Sequence, residues 1–504
     1  MLRAWIALAL CAAPLAAQER PNILFVYADD LAQRAISCYG GIAETPNIDR
    51  LAAQGVRFSH SFVGNSICGP ARGTVLTGLH SHAHGKTTNP AGFDDSLPTF
   101  ATELSAAGYQ TAVVGKWHLP TNPRGFDHWR LTQGSYYAPG LRGPDGVEPR
   151  TGYATDIIVD EALRWLEEDR DPEQPFCLWV SHIAAHRTWM PATRYLSMYE
   201  EEALPEPVSL LDDYAGRSPG AEAAQMRIAR DLFPAYDLKL PVTGEGILDR
   251  NAEGLWGRMS EEERAAWDAA YGPRNAAFAE AGLSENGLVH WQYQRYIKDY
   301  LRCVAAIDDA LGRMLRFLDE NALRDNTVVV FTSDQGFFLG EHGWYDKRWI
   351  YEPAFATPWI VSWPGVTPAG LVRDELVQNI DLAPTLLGLA GVSAVESMHG
   401  MDVSGLLRSP DTGRWRDAVY YHYMQRDSGR TSHTVAPHYG LRTARHKLVY
   451  VYDHEFWELY DLHSDPHELH NLAGDPAQAE QLAALQERLR ALRLQFGDEQ
   501  GPGF

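Results

Sequence analysis

The reading of this chain starts from Cys68-Gly69-Pro70-Ala71-Arg72, inside the longer run Asn65-Ser66-Ile67-Cys68-Gly69-Pro70-Ala71-Arg72-Gly73-Thr74-Val75-Leu76-Thr77-Gly78. Gly69 and Pro70 suit a turn and a first helical position. Cys68 would then sit at a helix N-terminus, where free amides and the helix dipole favour an anion. Arg72 falls four residues on, on the same helix face, and can return a guanidinium to that point. A nucleophile, anion-binding amides and a forked cation at one spot suit attack on a phosphate or sulfate ester. A lone cysteine ahead of a helix is otherwise a small buried hydrophobe.

Strand ends elsewhere carry compatible chemistry. Pro21-Asn22-Ile23-Leu24-Phe25-Val26-Tyr27 reads as a buried parallel strand that delivers Asp29 and Asp30. Ligands of open α/β sheets sit at such carboxyl ends, and adjacent carboxylates repel unless a cation neutralises them. Thr45 opens a short helix, and Phe58 to Phe62 reads as a strand. A helix over Thr99 to Ala107 ends at Gly108, and a strand over Tyr109 to Val114 delivers Lys116 and His118, two apart on one extended face. Thr155 to Glu168 reads as a helix. Pro175 to Ser181 reads as a strand that leads into His182, His186, Arg187 and Trp189. A stretch over 202–287 is polar and loop-rich and reads as an insertion over the active-site face. Trp291 to Leu318 reads as a long amphipathic helix. Thr327 to Thr332 reads as a buried strand that delivers Asp334 and Gln335, with His342 and Lys347 downstream; Pro358 to Pro364 is a further strand.

Cys-x-Pro-x-Arg followed by Thr77-Gly78 resembles the signature of the type I sulfatases, within the alkaline-phosphatase-like superfamily. Asp29-Asp30, Thr45-Pro46-Asn47, Lys116-x-His118, Ser333-Asp334-Gln335-Gly336 and His342/Lys347 match the same family across nearly the whole chain. The resemblance implies a large, mostly parallel mixed sheet sandwiched by helices, with a small C-terminal α+β subdomain on an antiparallel sheet. It implies that Cys68 is oxidised to formylglycine (3-oxoalanine) by a maturation enzyme, and that Asp29, Asp30, Asp334, Gln335 and the modified Cys68 hold a divalent cation. Three carboxylates and an amide oxygen suit Ca²⁺ before Mg²⁺, and Zn²⁺ least. Gln335 departs from the commoner His or Asn; its amide oxygen is still a hard donor. Arg72, Lys116, His118, His186, His342 and Lys347 would then surround the sulfate. His186 would protonate the leaving alcohol, and His118 would help expel sulfate. Arg187 and Trp189 either line a sugar subsite or pack. His433, His438 and Arg442 either reach substrate or are ordinary residues of the C-terminal sheet.

The 504 residues carry a net charge of −22. Bulk electrostatics therefore exclude nucleic acid, and a sulfated ligand needs a local cationic pocket. Arg3, the apolar run Trp5 to Leu15 and the small Ala16 and Ala17 read as a signal peptide over 1–17, so the chain is expected to be exported, periplasmic or secreted, with no membrane span. Outside that segment, which holds Cys11, the four cysteines Cys38, Cys68, Cys177 and Cys303 are too scattered for a disulfide scaffold, although a Cys38–Cys177 or similar bridge stays open. The catalytic domain is expected over 18–409 and the C-terminal subdomain over 410–504, with short alternating strands and a closing helix over Ala477 to Phe496. The expected activity is hydrolysis of a sulfated carbohydrate, with N-acetylglucosamine 6-sulfate as the first linkage the resemblance suggests. The alternatives are a phosphonate monoester or phosphodiester hydrolase of the same superfamily, and a non-catalytic glycan-binding relative.

Overall fold

The computed structural model describes residues 20–242, 247–408, 413, 415–426 and 434–503. The signal peptide expected over 1–17 and His433 lie outside the described residues. The strand Asn22–Ala28 is buried throughout and pairs in parallel on both sides, with Phe176–Ser181 and with Thr327–Ser333. Its side chains alternate between two apolar layers. Leu24 and Val26 pack with the helices Ala154–Arg164 and Glu285–Glu320, whereas Ile23, Phe25 and Tyr27 pack with Cys68–Thr77, Phe100–Ala106 and Leu382–Leu389. A strand apolar on every residue needs such cover on both faces.

Ten strands form the large sheet, in the order Leu371–Arg373, Val56–Phe58, Trp359–Ser362, Thr327–Ser333, Asn22–Ala28, Phe176–Ser181, Gln110–Gly115, His128–Gln133, Gly140–Gly143 and Gly146–Pro149. Trp359–Ser362 runs antiparallel to both its neighbours, and the hairpin Gly140–Gly143/Gly146–Pro149 closes the other edge. The register sets Tyr27 and Gly115 beside Ser181, and Ala28 beside Ser333. Four parallel strands therefore end at one level, and the residues after each end are brought together.

Several boundaries differ from the sequence reading. The expected strand over 58–62 is two strands: Val56–Phe58 belongs to the large sheet, and Ser61–Phe62 pairs with Val377–Gln378. Ser59 makes the break, its amide and hydroxyl both donating to the Arg373 carbonyl. The long helix is Glu285–Glu320, longer than read. The polar stretch over 202–287 also contains a 20-residue helix, Glu261–Glu280, started by a Ser260/Glu263 capping box and anchored by buried Trp267 and Tyr271.

Four antiparallel strands, Ala418–Tyr423, His438–Thr443, His446–Val451 and Phe456–Asp461, form the C-terminal sheet, covered by the helix Ala479–Gln495. Tyr421 donates to the Arg348 carbonyl at 2.7 Å, and the Ile350 amide donates to His438 Nε2 at 3.2 Å, so the small sheet buttresses the loop that carries Lys347. Cys38, Cys68, Cys177 and Cys303 are free thiols. Among the described residues no helix is long and apolar enough to cross a membrane.

Candidate active site

Cys68 is the first residue of the helix Cys68–Thr77, all ten residues of which are buried; Pro70 is its third residue. A Cβ at Gly69 would stand 2.8 Å from Lys86 Cε and 2.9 Å from Asn89 Oδ1, so those side chains would have to shift. The Cys68 thiol lies 3.3 Å from Lys347 Nζ and 3.5 Å from Gln335 Nε2. Arg72 Nη1 donates to the Lys116 carbonyl at 2.8 Å and to Ser181 Oγ at 2.7 Å, while Nη2 faces Asp29 at 3.5 Å and Asp334 at 3.4 Å. The guanidinium thus ties four strand ends together at the carboxylates.

One donor atom from each of Asp29, Asp30, Cys68 and Asp334 falls within 4.8 Å of the others, all four residues being buried. Lys116 pairs with Asp29. Lys347 Nζ donates to Asp30 Oδ1 at 2.6 Å, Gln335 Nε2 also donates to Asp30, and the Asp30 amide donates to Asp334 Oδ1 at 2.9 Å. Burial pushes the Asp29 carboxyl up, but Lys116 and His186 outweigh it and hold it well below the usual carboxylate range. Burial, then Asp29 and Cys68, push Asp334 the other way.

The donors fit a divalent cation. Gln335 Oε1 is buried without a hydrogen-bond partner, while the amide nitrogen of the same side chain faces Asp30. A half-turn of that amide aims an oxygen at the point where Asp30 and Cys68 meet. Three carboxylates and one amide oxygen then form an all-oxygen set, the chemistry of a hard cation.

His186 stands at the rim, with Nε2 3.8 Å from Asp30 Oδ2. Its Nδ1 lies 2.6 Å from the Arg187 carbonyl, which makes Nδ1 the donor and leaves Nε2 facing the cluster. Burial, then Lys116 and Lys347, lower the His186 pKa to about 4. His118, in the left-handed region at φ 60°, shares with Lys116 and His186 the wall of a cavity of about 480 Å³. That cavity continues past Tyr136, Arg142 and Tyr236.

Other expected site residues go elsewhere. Trp189 is fully buried against Tyr296, Phe337 and Tyr345, which settles its two readings in favour of packing. Arg187 lines the cavity, but its guanidinium is locked onto Asp237, with Nε–Oδ1 2.7 Å. His342 is corrected from the sulfate pocket to a structural network: its described contacts are with Asp212 at 2.9 Å, Arg217 at 2.6 Å and the rings of Phe338, Trp344 and Tyr351. His438 stacks on Trp349 at 4.4 Å, and Arg442 lies over Phe62 at 4.9 Å beside Glu352, so both pack at the C-terminal sheet, and neither lines the cavity of Lys116, His118 and His186. The sequence reading missed Tyr136, Arg142 and Tyr236, which sit in no motif. It also passed over Arg348, a buried cation beside Lys347 on the loop that the C-terminal sheet buttresses.

The comparisons agree on the kind of protein this resembles. A family model described as "Sulfatase" matches residues 21–392, and one described as "N-sulphoglucosamine sulphohydrolase, C-terminal" matches residues 340–495. The N-acetylglucosamine-6-O-sulfatase of Bacteroides thetaiotaomicron is 41% identical over 506 positions, spanning 98% of this chain and 90% of that protein. A solved structure of a protein in complex with its substrate D-glucosamine-2-N,6-O-disulfate superposes with a TM-score of 0.92 at 40% identity, covering 96% of this chain and 99% of that one. The phosphonate monoester hydrolase of Silicibacter pomeroyi superposes with a TM-score of 0.72 at 22% identity over 95% of this chain and 96% of its own, a likeness of fold alone.

Proposed function

The chain belongs to the sulfatase family and is a sulfuric ester hydrolase, and on that premise we propose that it removes the 6-O-sulfate of a glucosamine-type sugar. The observation that carries the chemistry is the convergence of Asp29, Asp30, Cys68 and Asp334 within 4.8 Å beside Lys116 and Lys347. The identity to an N-acetylglucosamine-6-O-sulfatase supports the substrate. Asp29, Asp30, Asp334 and Gln335, with the modified Cys68, are the residues that would hold the cation, Ca²⁺ before Mg²⁺ by donor type. Bound there, with Cys68 converted to formylglycine, the cation would supply an acidified hydroxyl of the hydrated aldehyde as nucleophile and polarise the ester.

The chain's own residues do the rest. Lys116 and Lys347 face the charge that develops on the sulfate oxygens, where the burial of Lys347 limits screening by water. Arg72, with its two terminal nitrogens on strand-end acceptors, fixes the carboxylates and adds positive potential. His186 has its ring oriented by the Arg187 carbonyl and its Nε2 toward the cluster; neutral in the free site, it takes a proton on Nε2 when the sulfate anion binds beside it and passes that proton to the leaving alcohol oxygen. His118, on the cavity wall, takes up the proton lost as sulfate departs. The cavity past Tyr136 and Arg142 receives the sugar. The same proposal includes a formylglycine-generating maturation enzyme as partner and an exported location, periplasmic or secreted, supported by the character of residues 1–17.

The test is hydrolysis of N-acetylglucosamine 6-sulfate, its 3-sulfate isomer, an N-sulfated glucosamine without a 6-sulfate and an aryl phosphodiester. The expected result is sulfate release from 6-sulfated sugars alone. Preference for the phosphodiester, or for another sulfated position, overturns the reading.

A further inference from the structure

A second, smaller cavity of about 170 Å³ lies between the helices Glu261–Glu280 and Glu285–Glu320 and the turn at Glu200, and shares no lining residue with the catalytic cavity. Trp291, Arg295, Lys298 and Arg302 line it from one stripe of the long helix, and Arg274 faces them. Four cations meet one lining carboxylate, Glu200. Arg274 Nε reaches Glu200 Oε1 at 2.9 Å and Arg302 Nη2 reaches Oε2 at 3.4 Å; Arg302 also pairs with Asp299 at 2.9 Å.

Among the described residues, neither Lys298 nor Arg295 has a carboxylate at ion-pair distance. Lys298 Nζ donates only to the Glu200 backbone carbonyl, at 3.3 Å, and Arg295 donates to Asn275 Oδ1 while lying 5.3 Å over the Trp291 ring. Both pKa values are lowered, first by burial and then for Lys298 by Arg302 and for Arg295 by Arg274 and Arg302, against the acids nearby. A chain with a net charge of −22 thus concentrates unneutralised cations at one half-buried opening. An anion seated there would relieve their mutual repulsion.

We propose that this cavity binds a sulfate-type oxyanion, held by the Lys298 ammonium and the guanidinium fork of Arg295. Lysine supplies a point charge and arginine a planar pair of donors, which together suit a tetrahedral oxyanion. Trp291 offers an apolar face to whatever carries it. The same chemistry is presented by free sulfate and by a sulfo group on a glycan, and the two are separated below. The site is independent of the catalytic assignment.

Calorimetric titration of the full chain with inorganic sulfate, and separately with a heparin-derived tetrasaccharide stripped of 6-O-sulfate, tests the proposal. Each titration is run on the unaltered protein, on Lys298→Glu, on Lys298→Gln and on the catalytic-cavity variant Lys116→Gln. Thermal unfolding confirms that each variant is folded. The expected result is a component whose affinity falls tenfold or more in Lys298→Glu, falls less in Lys298→Gln, persists in Lys116→Gln and weakens with added NaCl. Turnover of a sulfated monosaccharide stays unchanged in both Lys298 variants, which keeps this outcome separate from that of the catalytic reading. A response to sulfate alone identifies the free anion as ligand, and a response to the tetrasaccharide identifies a glycan. Equal affinity in all Lys298 variants, or binding lost only in Lys116→Gln, overturns the proposal.

Discussion

Replacing Lys447 by Met should loosen the C-terminal sheet from the loops it supports, and the size of the effect follows from the charges around it. Lys447 is fully buried, with Nζ 2.6 Å from Glu468 and 3.0 Å from Glu352. Methionine keeps most of the stem and removes the ammonium, with its charge and its hydrogen bond to Glu468. Glu352 would retain Arg442, whose Nε is 3.5 Å away. Glu468, 1% exposed, has no other cation at ion-pair distance among the described residues. A buried carboxylate stripped of its partner costs about 3–5 kcal/mol. Burial already holds the Glu468 carboxyl above its usual value, with Lys447 the main influence against that shift. Without the lysine, Glu468 takes up a proton instead of staying charged. Its folded pKa then lies further above the unfolded one, so the native state binds the extra proton and the variant loses stability as pH rises. Denaturant unfolding should therefore show a deficit of about 3–5 kcal/mol at pH 8 and a smaller one at pH 5.5. Adding Glu468→Gln should restore most of it, because the two sites are coupled. A deficit below about 1 kcal/mol at pH 8, or one equal at both pH values, would refute the reasoning.

Three further outcomes are expected. Cys68→Ser should abolish turnover and leave the circular dichroism spectrum unchanged, while the active protein should show an intact-mass loss of ~18 Da from cysteine conversion; an active serine variant made where only cysteine is matured would exclude the aldehyde. Ca²⁺ should stabilise the fold by mass action, by about 2.7 kcal/mol at a hundredfold excess over its dissociation constant, and so raise the unfolding midpoint. Asp334→Asn should lose that response, and a chelator that leaves the midpoint of the unaltered protein in place would count against the cation site. Buried His182 and His342 are held neutral, mainly by desolvation, with pKa values lowered to about 4, and His84 and His438 to about 3. The unfolded chain binds these protons first, so the stability they contribute is complete above pH 6.5 and is lost as pH falls toward 4, by about 1.4 kcal/mol per histidine per pH unit. Denaturation midpoints that match at pH 7 and pH 5 would contradict this.

Much of the site was legible because its residues follow strand ends. A buried strand has a plain signature, and the fold brings the residues after Tyr27, Gly115, Ser181 and Ser333 to one level. Asp29, Asp30, Lys116, His186 and Asp334 needed only that placement. His342, His438 and Trp189 were misplaced or left open because polar and aromatic side chains near a motif serve packing as readily as chemistry. Only the partners, Asp212 and Arg217 for His342 and Trp349 for His438, separate the two roles, and these lie 89 to 130 residues away along the chain. The helix Glu261–Glu280 was hidden by its weak amphipathic pattern and by Pro273 in its interior. The last three strands at one end of the sheet, His128–Gln133, Gly140–Gly143 and Gly146–Pro149, are short and partly exposed, so their apolar pattern is faint.

The enclosure of Cys68 also sets a clock. The residue is 1% exposed, and the contacts that close over it come from Gln335 and Lys347, 267 and 279 residues later in the chain. At roughly 5–20 residues per second, a ribosome needs on the order of 15–55 s to deliver them. On the reading proposed above, a maturation enzyme has only that interval, and whatever delay follows before folding, to reach the thiol. Chains that close first keep their cysteine, and maturation enzyme added afterwards meets a finished fold. The active fraction of a preparation would then be decided during synthesis, by the supply of that enzyme relative to the rate of translation.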